Sequence, residues 1–152
     1  MLIYLLRHGA AEPKALTDSA RELSSEGIMQ TQSMVQKFKQ YAPIVDIALM
    51  SPYQRAKQTA SLLGTIFPAL QFDVEKKLTP EADVYEVMEL IELTQVQHLL
   101  LVSHNPLLSH LLSLLVDGTL ATKRPFEPSN LVCIAMEFAA PGCGEIKYIL
   151  GP

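Results

Sequence analysis

The stretch Leu-Ile-Tyr-Leu-Leu-Arg-His-Gly occupies residues 2–9, and the other elements of the chain are arranged around it. Its apolar part, residues 2–6, is the kind of continuous run that a buried parallel strand shows. Such a strand would end on Arg7 and His8, and Gly9 would let the backbone turn and permit a close approach. The pattern predicts a buried strand whose carboxyl end presents a guanidinium and an imidazole.

Two later stretches repeat this arrangement. Residues 46–50 predict a second buried strand, and Ser51 and Arg55 follow it closely. Residues 98–102 form the most apolar predicted strand, which runs through a serine into His104. Three strand ends therefore carry two arginines and two histidines, more than isolated surface or structural residues would explain.

Helical spacing of apolar residues separates these strands. We expect Ser51 and Asn105 to act as N-caps, each followed by a proline at the first helical position. The predicted helices start near Ser24, Ser51, Val84 and Asn105, and the first of them should stop by Pro43. Further strands are expected at residues 70–74, 131–138 and 145–150, the last two as a closing hairpin.

The alternation of strands and helices predicts an α/β protein, with a mainly parallel central sheet covered on both faces in three layers, α/β/α. A chain of 152 residues with 49% hydrophobic residues is long enough for one domain with a real core, so a single domain is expected over residues 1–152. Parallel sheets bind ligands at the carboxyl ends of their strands, where the basic residues lie.

Composition excludes several classes of function. A net charge of −4 argues against a nucleic-acid partner, which would call for a basic face. No apolar run approaches the roughly 20 residues of a membrane span, so no membrane association is expected. The two cysteines show no metal-binding spacing. We expect a soluble, cytoplasmic protein that needs no metal ion or cofactor.

Basic side chains gathered at strand ends are typical of a pocket for a phosphoryl group or a similar anion such as inorganic phosphate. The planar forks of Arg7 and Arg55 suit phosphoryl oxygens, and free backbone N–H groups at the helix starts near Ser51 and Asn105 would add donors. Because no cysteine follows a strand, the nucleophile would be a histidine. His8 is the better candidate, since Gly9 leaves space beside it, and His104 would stabilise charge.

Three blocks of the chain resemble the histidine phosphatase superfamily, also called phosphoglycerate mutase-like: residues 6–9, 51–60 and 102–106. Residues 18–24 are similar to an element of its small SixA-type phosphohistidine phosphatases. The resemblance implies a phosphoglycerate mutase-like fold and a metal-independent phosphatase that passes through a phosphohistidine at its nucleophile. The site residues that it implies are His8 as nucleophile, Arg7, Arg55 and His104, with Gly9, Arg21, Ser51 and Asn105 as substrate-binding candidates. Alternatively, Arg21 only pairs with Asp18 to fix the loop.

Residues 75–83 are too few for the insertion that covers the site and supplies an acid in larger members of the superfamily. Glu81 and Asp83 lie in this stretch, either as proton donors or as solvated loop charges. A phosphorus–nitrogen bond to imidazole is more labile than a phosphate ester, so its cleavage tolerates a missing acid. An uncovered pocket would also admit a side chain of another protein.

Three functions remain open at this point. The first is a phosphohistidine phosphatase acting on a phosphorylated protein, such as a histidine-phosphotransfer domain or a phosphocarrier. The second is a small-molecule phosphomonoesterase or mutase of the same superfamily, which would need an acid at Glu81 or Asp83. The third is a non-catalytic module that recognises phosphorylated partners.

Overall fold

The computed structural model describes residues 1–122 and 124–152. Six strands form one sheet. They are β1 (Leu2–Arg7), β2 (Ile47–Met50), β3 (Phe72–Val74), β4 (His98–Ser103), β5 (Leu131–Ala135) and β6 (Glu145–Leu150). The helices of the described residues are α1 (Ser25–Gln40), α2 (Gln54–Ile66), α3 (Val84–Thr94) and α4 (Leu107–Asp117), with short 3-10 turns at Asp18–Ala20 and Lys76–Leu78.

The strand order is β3-β2-β4-β1-β5-β6. Strands β3, β2, β4 and β1 run parallel, and β5 and β6 form an antiparallel hairpin beside β1. The predicted mainly parallel sheet is confirmed. In the pairing of β1 with β4, Arg7 lies opposite Ser103, so His8 and His104 leave the sheet side by side.

Alternate residues of the central strands face two separate cores, as expected for strands buried on both sides. Ile3, Leu5, Leu99 and Leu101 pack with buried residues of α3 and α4. Tyr4, Leu6, Leu100 and Val102 pack with buried residues of α1 and α2 on the other face. The predicted three-layer arrangement is confirmed. Among the described residues, none of the helices combines the length and apolar composition that crossing a bilayer requires.

Helix starts agree only partly with the prediction. Ser24 caps α1, because its Oγ accepts a hydrogen bond from the N–H of Gly27. The N-cap roles predicted for Ser51 and Asn105 are wrong: α2 follows Tyr53 and α4 follows Pro106, and neither helix start has a side-chain cap. Both polar side chains instead form hydrogen bonds within the site.

Gly9 and Gly27 allow β1 and α1 to come together closely. A Cβ on Gly9 would lie 2.6 Å from the carbonyl oxygen of Gly27, and one on Gly27 would lie 2.7 Å from the backbone nitrogen of Ala10. The close approach predicted at Gly9 is therefore made by the start of α1. This contact fixes the position of the chain directly after His8.

We expect Gly27→Ala to lower the free energy of unfolding by about 1–3 kcal/mol, because a methyl group there meets backbone atoms that cannot move independently. Gly64→Ala is the matched control, since a Cβ at this helical position has no heavy atom within 4 Å. It should raise stability by about 0.5–1 kcal/mol. Urea denaturation measures both, and equal stability of the two variants would contradict the packing role.

Candidate active site

The carboxyl ends of β1, β2 and β4 bring three predicted site residues into contact. His8 directly follows β1, His104 directly follows β4, and Arg55 lies in the first turn of α2. The His8 and His104 ring centroids are 4.8 Å apart, and Arg55 Nε lies 3.1 Å from His8 Nε2. All three residues are buried, which takes the cluster largely out of water.

The hydrogen bonds of His8 determine where its proton lies. Its Nδ1 is 2.7 Å from the carbonyl oxygen of Gly9, which can only accept, so Nδ1 carries the hydrogen. Its Nε2 receives the N–H of Arg55, which can only donate. His8 Nε2 therefore carries no hydrogen, and its lone pair points into the cluster, where it accepts from Arg55. An unprotonated nitrogen is the form that a nucleophile requires.

Burial and the surrounding cations keep both histidines neutral. The pKa of His8 is lowered to about 4, mainly by burial and also by Arg55, Arg7 and Arg21, against the opposing effect of the Gly9 hydrogen bond. Burial lowers the pKa of His104 to about 2, with contributions from His8, Arg55 and Arg7. Positive charge in the pocket therefore comes from the arginines, and the imidazoles remain uncharged at neutral pH.

Residues 124–130 form a part of the site that the sequence patterns did not predict. Phe126 is buried, and its carbonyl oxygen accepts hydrogen bonds from Arg7 Nη1 at 2.6 Å and from Asn105 Nδ2 at 2.9 Å. The N–H of Ser129 donates to the His8 carbonyl at 3.2 Å. A buried aromatic residue thus anchors a backbone carbonyl that holds two predicted site residues. No local motif in this segment signals that role.

Two nitrogen atoms at the strand ends lack partners. Arg7 Nε and His104 Nδ1 are buried, and neither has a hydrogen-bond partner among the described residues. Buried polar groups are nearly always paired, so such atoms indicate where another polar group belongs. An oxyanion would supply acceptors for donors at these positions. Arg7 Nε always carries a hydrogen, whereas His104 Nδ1 carries one in only one tautomer.

Tyr53 is a second residue of the site that the sequence patterns did not predict. Its ring contacts His104 edge to face at a centroid distance of 5.1 Å, and the guanidinium of Arg55 lies 5.1 Å from the ring centroid. Its hydroxyl donates to Glu81 Oε2 at 3.3 Å. Tyr53 therefore packs between the buried cluster and an exposed carboxylate.

Of the two candidate acids, Glu81 contacts Tyr53, the residue that packs against the cluster. Asp83 caps α3 instead, with its Oδ1 accepting the N–H of Tyr85 at 2.9 Å.

Gly9, a predicted substrate-binding residue, donates its N–H to Thr59 Oγ1 at 3.2 Å. That N–H already has a partner within the protein.

Asp18 connects the loop between β1 and α1 to the cluster. Its carboxylate bonds Arg55 Nη2 and Arg21 Nη1, each at 3.0 Å, and its carbonyl oxygen accepts from Arg55 Nη1 at 2.6 Å. Partial burial acts to raise the pKa of Asp18, but the hydrogen bonds from Arg55 and Arg21 lower it below its usual range. Arg21 is therefore linked to the cluster through Asp18, while its Nε bonds the carbonyl of Glu12.

Arg55 retains donors for an anion. Three of its five N–H bonds point at His8 Nε2, Asp18 O and Asp18 Oδ2, which leaves one on each terminal nitrogen. Asp18 thus orients the guanidinium without using all of its donors.

Within the described residues, no three His, Cys, Asp or Glu side chains come together in a group that could hold a metal ion.

Residues 3–79, half of the chain, match the family model of the histidine phosphatase superfamily (branch 1). The chain belongs to this superfamily. The matched region contains Arg7, His8 and Arg55, and His104 lies beyond it. The protein is accordingly a phosphatase of the histidine phosphatase superfamily.

Two curated relatives are similar over most of their length. The phosphohistidine phosphatase SixA of Escherichia coli K12 is 30% identical over 157 aligned residues, which cover 100% of this chain and 94% of that protein. A phosphohistidine phosphatase SixA homolog of Haemophilus influenzae is 31% identical over 124 residues, covering 74% of this chain and 76% of that protein. A solved structure of the protein histidine phosphatase SixA complexed with tungstate has a TM-score of 0.88 and 28% identity, covering 100% of this chain and 97% of that chain.

The lowered histidine pKa values predict a stability that falls on mild acidification. Unfolded histidines bind protons near pH 6.5, whereas folded His8 does so only near pH 4 and folded His104 near pH 2. The unfolded state therefore binds more protons below pH 6.5, and each histidine should remove roughly 1 kcal/mol per pH unit between pH 6 and 5. Urea denaturation across this range measures the slope.

The double variant His8→Gln, His104→Gln should show a shallower slope, because glutamine does not titrate. His110→Gln, on α4, is the control for removing a histidine that lies outside the cluster. An unchanged slope in the double variant would contradict the neutral, buried state of the two rings.

Removing the Asp18 side chain should loosen Arg55. We expect Asp18→Ala to lower kcat/KM about tenfold, equivalent to about 1.4 kcal/mol of transition-state stabilisation. Glu22→Ala, an exposed carboxylate of the same loop, is the control and should leave kcat/KM unchanged. If Asp18→Ala instead increases activity, the carboxylate competes with the phosphoryl group for Arg55.

Proposed function

We propose that this chain removes the phosphoryl group from a phosphohistidine on a partner protein, such as a histidine-phosphotransfer domain or a phosphocarrier, through a phosphohistidine intermediate at His8. The observation that carries the proposal is the state of His8. Its Nδ1 proton is held by the Gly9 carbonyl, and its Nε2 lone pair faces the buried Arg55 guanidinium. This is an uncharged nucleophile beside a cation that can bind the incoming anion.

In the first step, the phosphoryl oxygens bind to Arg7, Arg55 and His104, and the Arg55 Nε–H turns from His8 to an oxygen. The lone pair of His8 Nε2 then attacks phosphorus in line, and the bond between phosphorus and the substrate imidazole breaks. The electron pair of that bond returns to the leaving nitrogen. His8 becomes a phosphorylated imidazolium, whose Nδ1–H is stabilised by the Gly9 carbonyl.

In the second step, water attacks phosphorus and the bond to His8 Nε2 breaks. The electron pair returns to Nε2, one proton of the water remains on the attacking oxygen, and the other passes to a second phosphoryl oxygen. The products are neutral His8 and inorganic phosphate. The arginines supply the positive charge that both transition states need, so neither proposed step uses a metal ion.

The leaving group favours phosphohistidine over a phosphate ester. A substrate imidazole that is protonated on its other nitrogen departs as a neutral ring and needs no acid from the enzyme. The connection between β3 and α3 is short, and of its two candidate acids Asp83 is engaged as a helix cap. The similarity to SixA, described as a phosphohistidine phosphatase, and the tungstate held by the solved SixA structure support the same reading of the pocket.

One observation favours a second candidate, a small-molecule phosphomonoesterase. Glu81 contacts Tyr53, which packs against both His104 and Arg55. A protonated Glu81 could serve an alkoxide leaving group if the substrate reaches it. Its exposure to solvent argues for the first candidate, since a catalytic acid is usually kept protonated by burial.

The test compares the parent protein with His8→Ala on a phosphohistidine-bearing carrier protein and on a panel of small phosphate esters, with EDTA present. We expect rapid loss of phosphate from the carrier, none with His8→Ala, and slow turnover of the esters. His98→Asn is the control, because His98 begins β4, at the opposite end of that strand from His104. Phosphate that remains on the quenched enzyme in acid indicates a phosphate ester on the enzyme, whereas phosphate that acid releases indicates a phosphohistidine intermediate.

Other outcomes select the alternatives. A preference for an ester that is lost in Glu81→Gln would establish the phosphomonoesterase. If the protein binds the phosphorylated carrier but neither dephosphorylates it nor forms a phosphoenzyme that can be trapped, it is the non-catalytic module. Inhibition by EDTA that is reversed by a divalent cation would contradict the metal-free steps.

A further inference from the structure

Ser51 and His104 form a short hydrogen bond at the centre of the site. Ser51 Oγ lies 2.6 Å from His104 Nε2, and both residues are fully buried. Ser51 directly follows β2 and His104 directly follows β4, so the bond joins the ends of two adjacent strands. It leaves His104 Nδ1 as the ring nitrogen without a partner among the described residues.

The position of the hydrogen in this bond follows from the other bond of Ser51. Its Oγ also accepts the backbone N–H of Tyr53 at 3.3 Å. If His104 donated from Nε2, the oxygen would accept twice, and the hydroxyl hydrogen would have no acceptor among the described residues. If Ser51 donates to Nε2, its hydroxyl is fully satisfied, as buried hydroxyls normally are.

We propose that Ser51 is a positioning residue that donates to His104 Nε2 and thereby holds the His104 proton on Nδ1, making Nδ1–H a hydrogen-bond donor to the phosphoryl group. The proposal rests on the proposed function, because it assigns a role in phosphoryl binding. It also replaces the substrate-binding role expected for Ser51, whose hydroxyl is engaged within the protein.

The tautomer is decisive because His104 is neutral. Burial and the neighbouring His8, Arg55 and Arg7 oppose its protonation, so the ring has one N–H and not two. In a neutral imidazole, the nitrogen that carries the hydrogen is set by the bond made at the other nitrogen. Without Ser51, Nδ1 could present a lone pair to a phosphoryl oxygen, which is repulsive. With Ser51, it presents a hydrogen.

The two histidines then have the same tautomer but opposite tasks. The Gly9 carbonyl holds the proton of His8 on Nδ1, so that Nε2 is free to attack. Ser51 holds the proton of His104 on Nδ1, so that Nδ1 can donate. The difference arises from the hydrogen-bond partners: His8 bonds an acceptor, the Gly9 carbonyl, and His104 bonds a donor, the Ser51 hydroxyl. The centroids of the two rings are 4.8 Å apart.

The direct test is the tautomer itself, measured on the full chain labelled with 15N-histidine. Long-range proton–nitrogen NMR spectra at neutral pH distinguish a protonated from an unprotonated ring nitrogen, and single substitutions assign the four histidines. We expect protonated Nδ1 and unprotonated Nε2 for His104 in the parent protein. Protonated Nε2 there would overturn the proposal, whether or not the protein hydrolyses phosphohistidine.

Variants test the cause. Ser51→Ala should move His104 towards the Nε2–H tautomer and lower kcat by roughly 100- to 1,000-fold, as expected for one lost donor to the transition state. Ser51→Thr keeps the hydroxyl and should retain the parent tautomer. Ser113→Ala, a fully buried serine on α4, is the matched control and should change neither the tautomer nor kcat. An unchanged tautomer in Ser51→Ala would overturn the proposal.

Tungstate binding separates this proposal from the proposed function. We expect Ser51→Ala to bind tungstate at least several-fold more weakly than the parent protein and Ser113→Ala to bind it equally well. This result would support the donor role even if the phosphohistidine carrier were not hydrolysed. Equal binding by Ser51→Ala, with its His104 in the Nε2–H tautomer, would overturn the donor role.

Discussion

The site depends on the in-register parallel pairing of β1 with β4. Arg7 lies opposite Ser103, and the N–H of His8 continues the ladder by donating to the Ser103 carbonyl at 3.0 Å. This pairing places the two imidazoles side by side, just beyond the carboxyl ends of β1 and β4. A shift of one residue would turn every side chain of β1 to the other core, so the apolar packing that stabilises the sheet also fixes the spacing of the two imidazole rings.

Burial gives this cluster its electrostatic character. Burial of the rings, together with the nearby arginines, keeps the imidazoles neutral and leaves the guanidinium groups as the fixed positive charges. A neutral nucleophile and permanent cations are the combination that phosphoryl transfer requires. One backbone carbonyl and one hydroxyl, rather than a carboxylate, determine which ring nitrogens carry the protons. The carboxylate at the cluster, that of Asp18, bonds Arg55 and not the histidine rings.

Segments far apart in the chain orient the arginines. The carbonyl of Phe126 holds Arg7, and Asp18 holds Arg55 from the loop before α1.

Sequence patterns predicted the strands, the helices and the three strand ends, because the spacing of apolar residues and the length of apolar runs are local properties. They did not predict Phe126 or Tyr53, since an isolated aromatic residue in a loop has no distinguishing spacing. They assigned caps to Ser51 and Asn105 from a local rule that tertiary hydrogen bonds overrode.

The sequence by itself determined the α/β class and the mainly parallel sheet, and it selected His8, Arg7, Arg55 and His104 as candidates. Both follow from the spacing of apolar residues and the order of motifs, which can be read directly from the amino-acid sequence. Only the tertiary structure decided which nitrogen of His8 carries its proton, that Asp18 contacts Arg55, and that Asp83 caps a helix while Glu81 contacts Tyr53. These properties depend on hydrogen bonds between residues from 1 to 37 positions apart, whose partners are set by how the strand ends and loops converge.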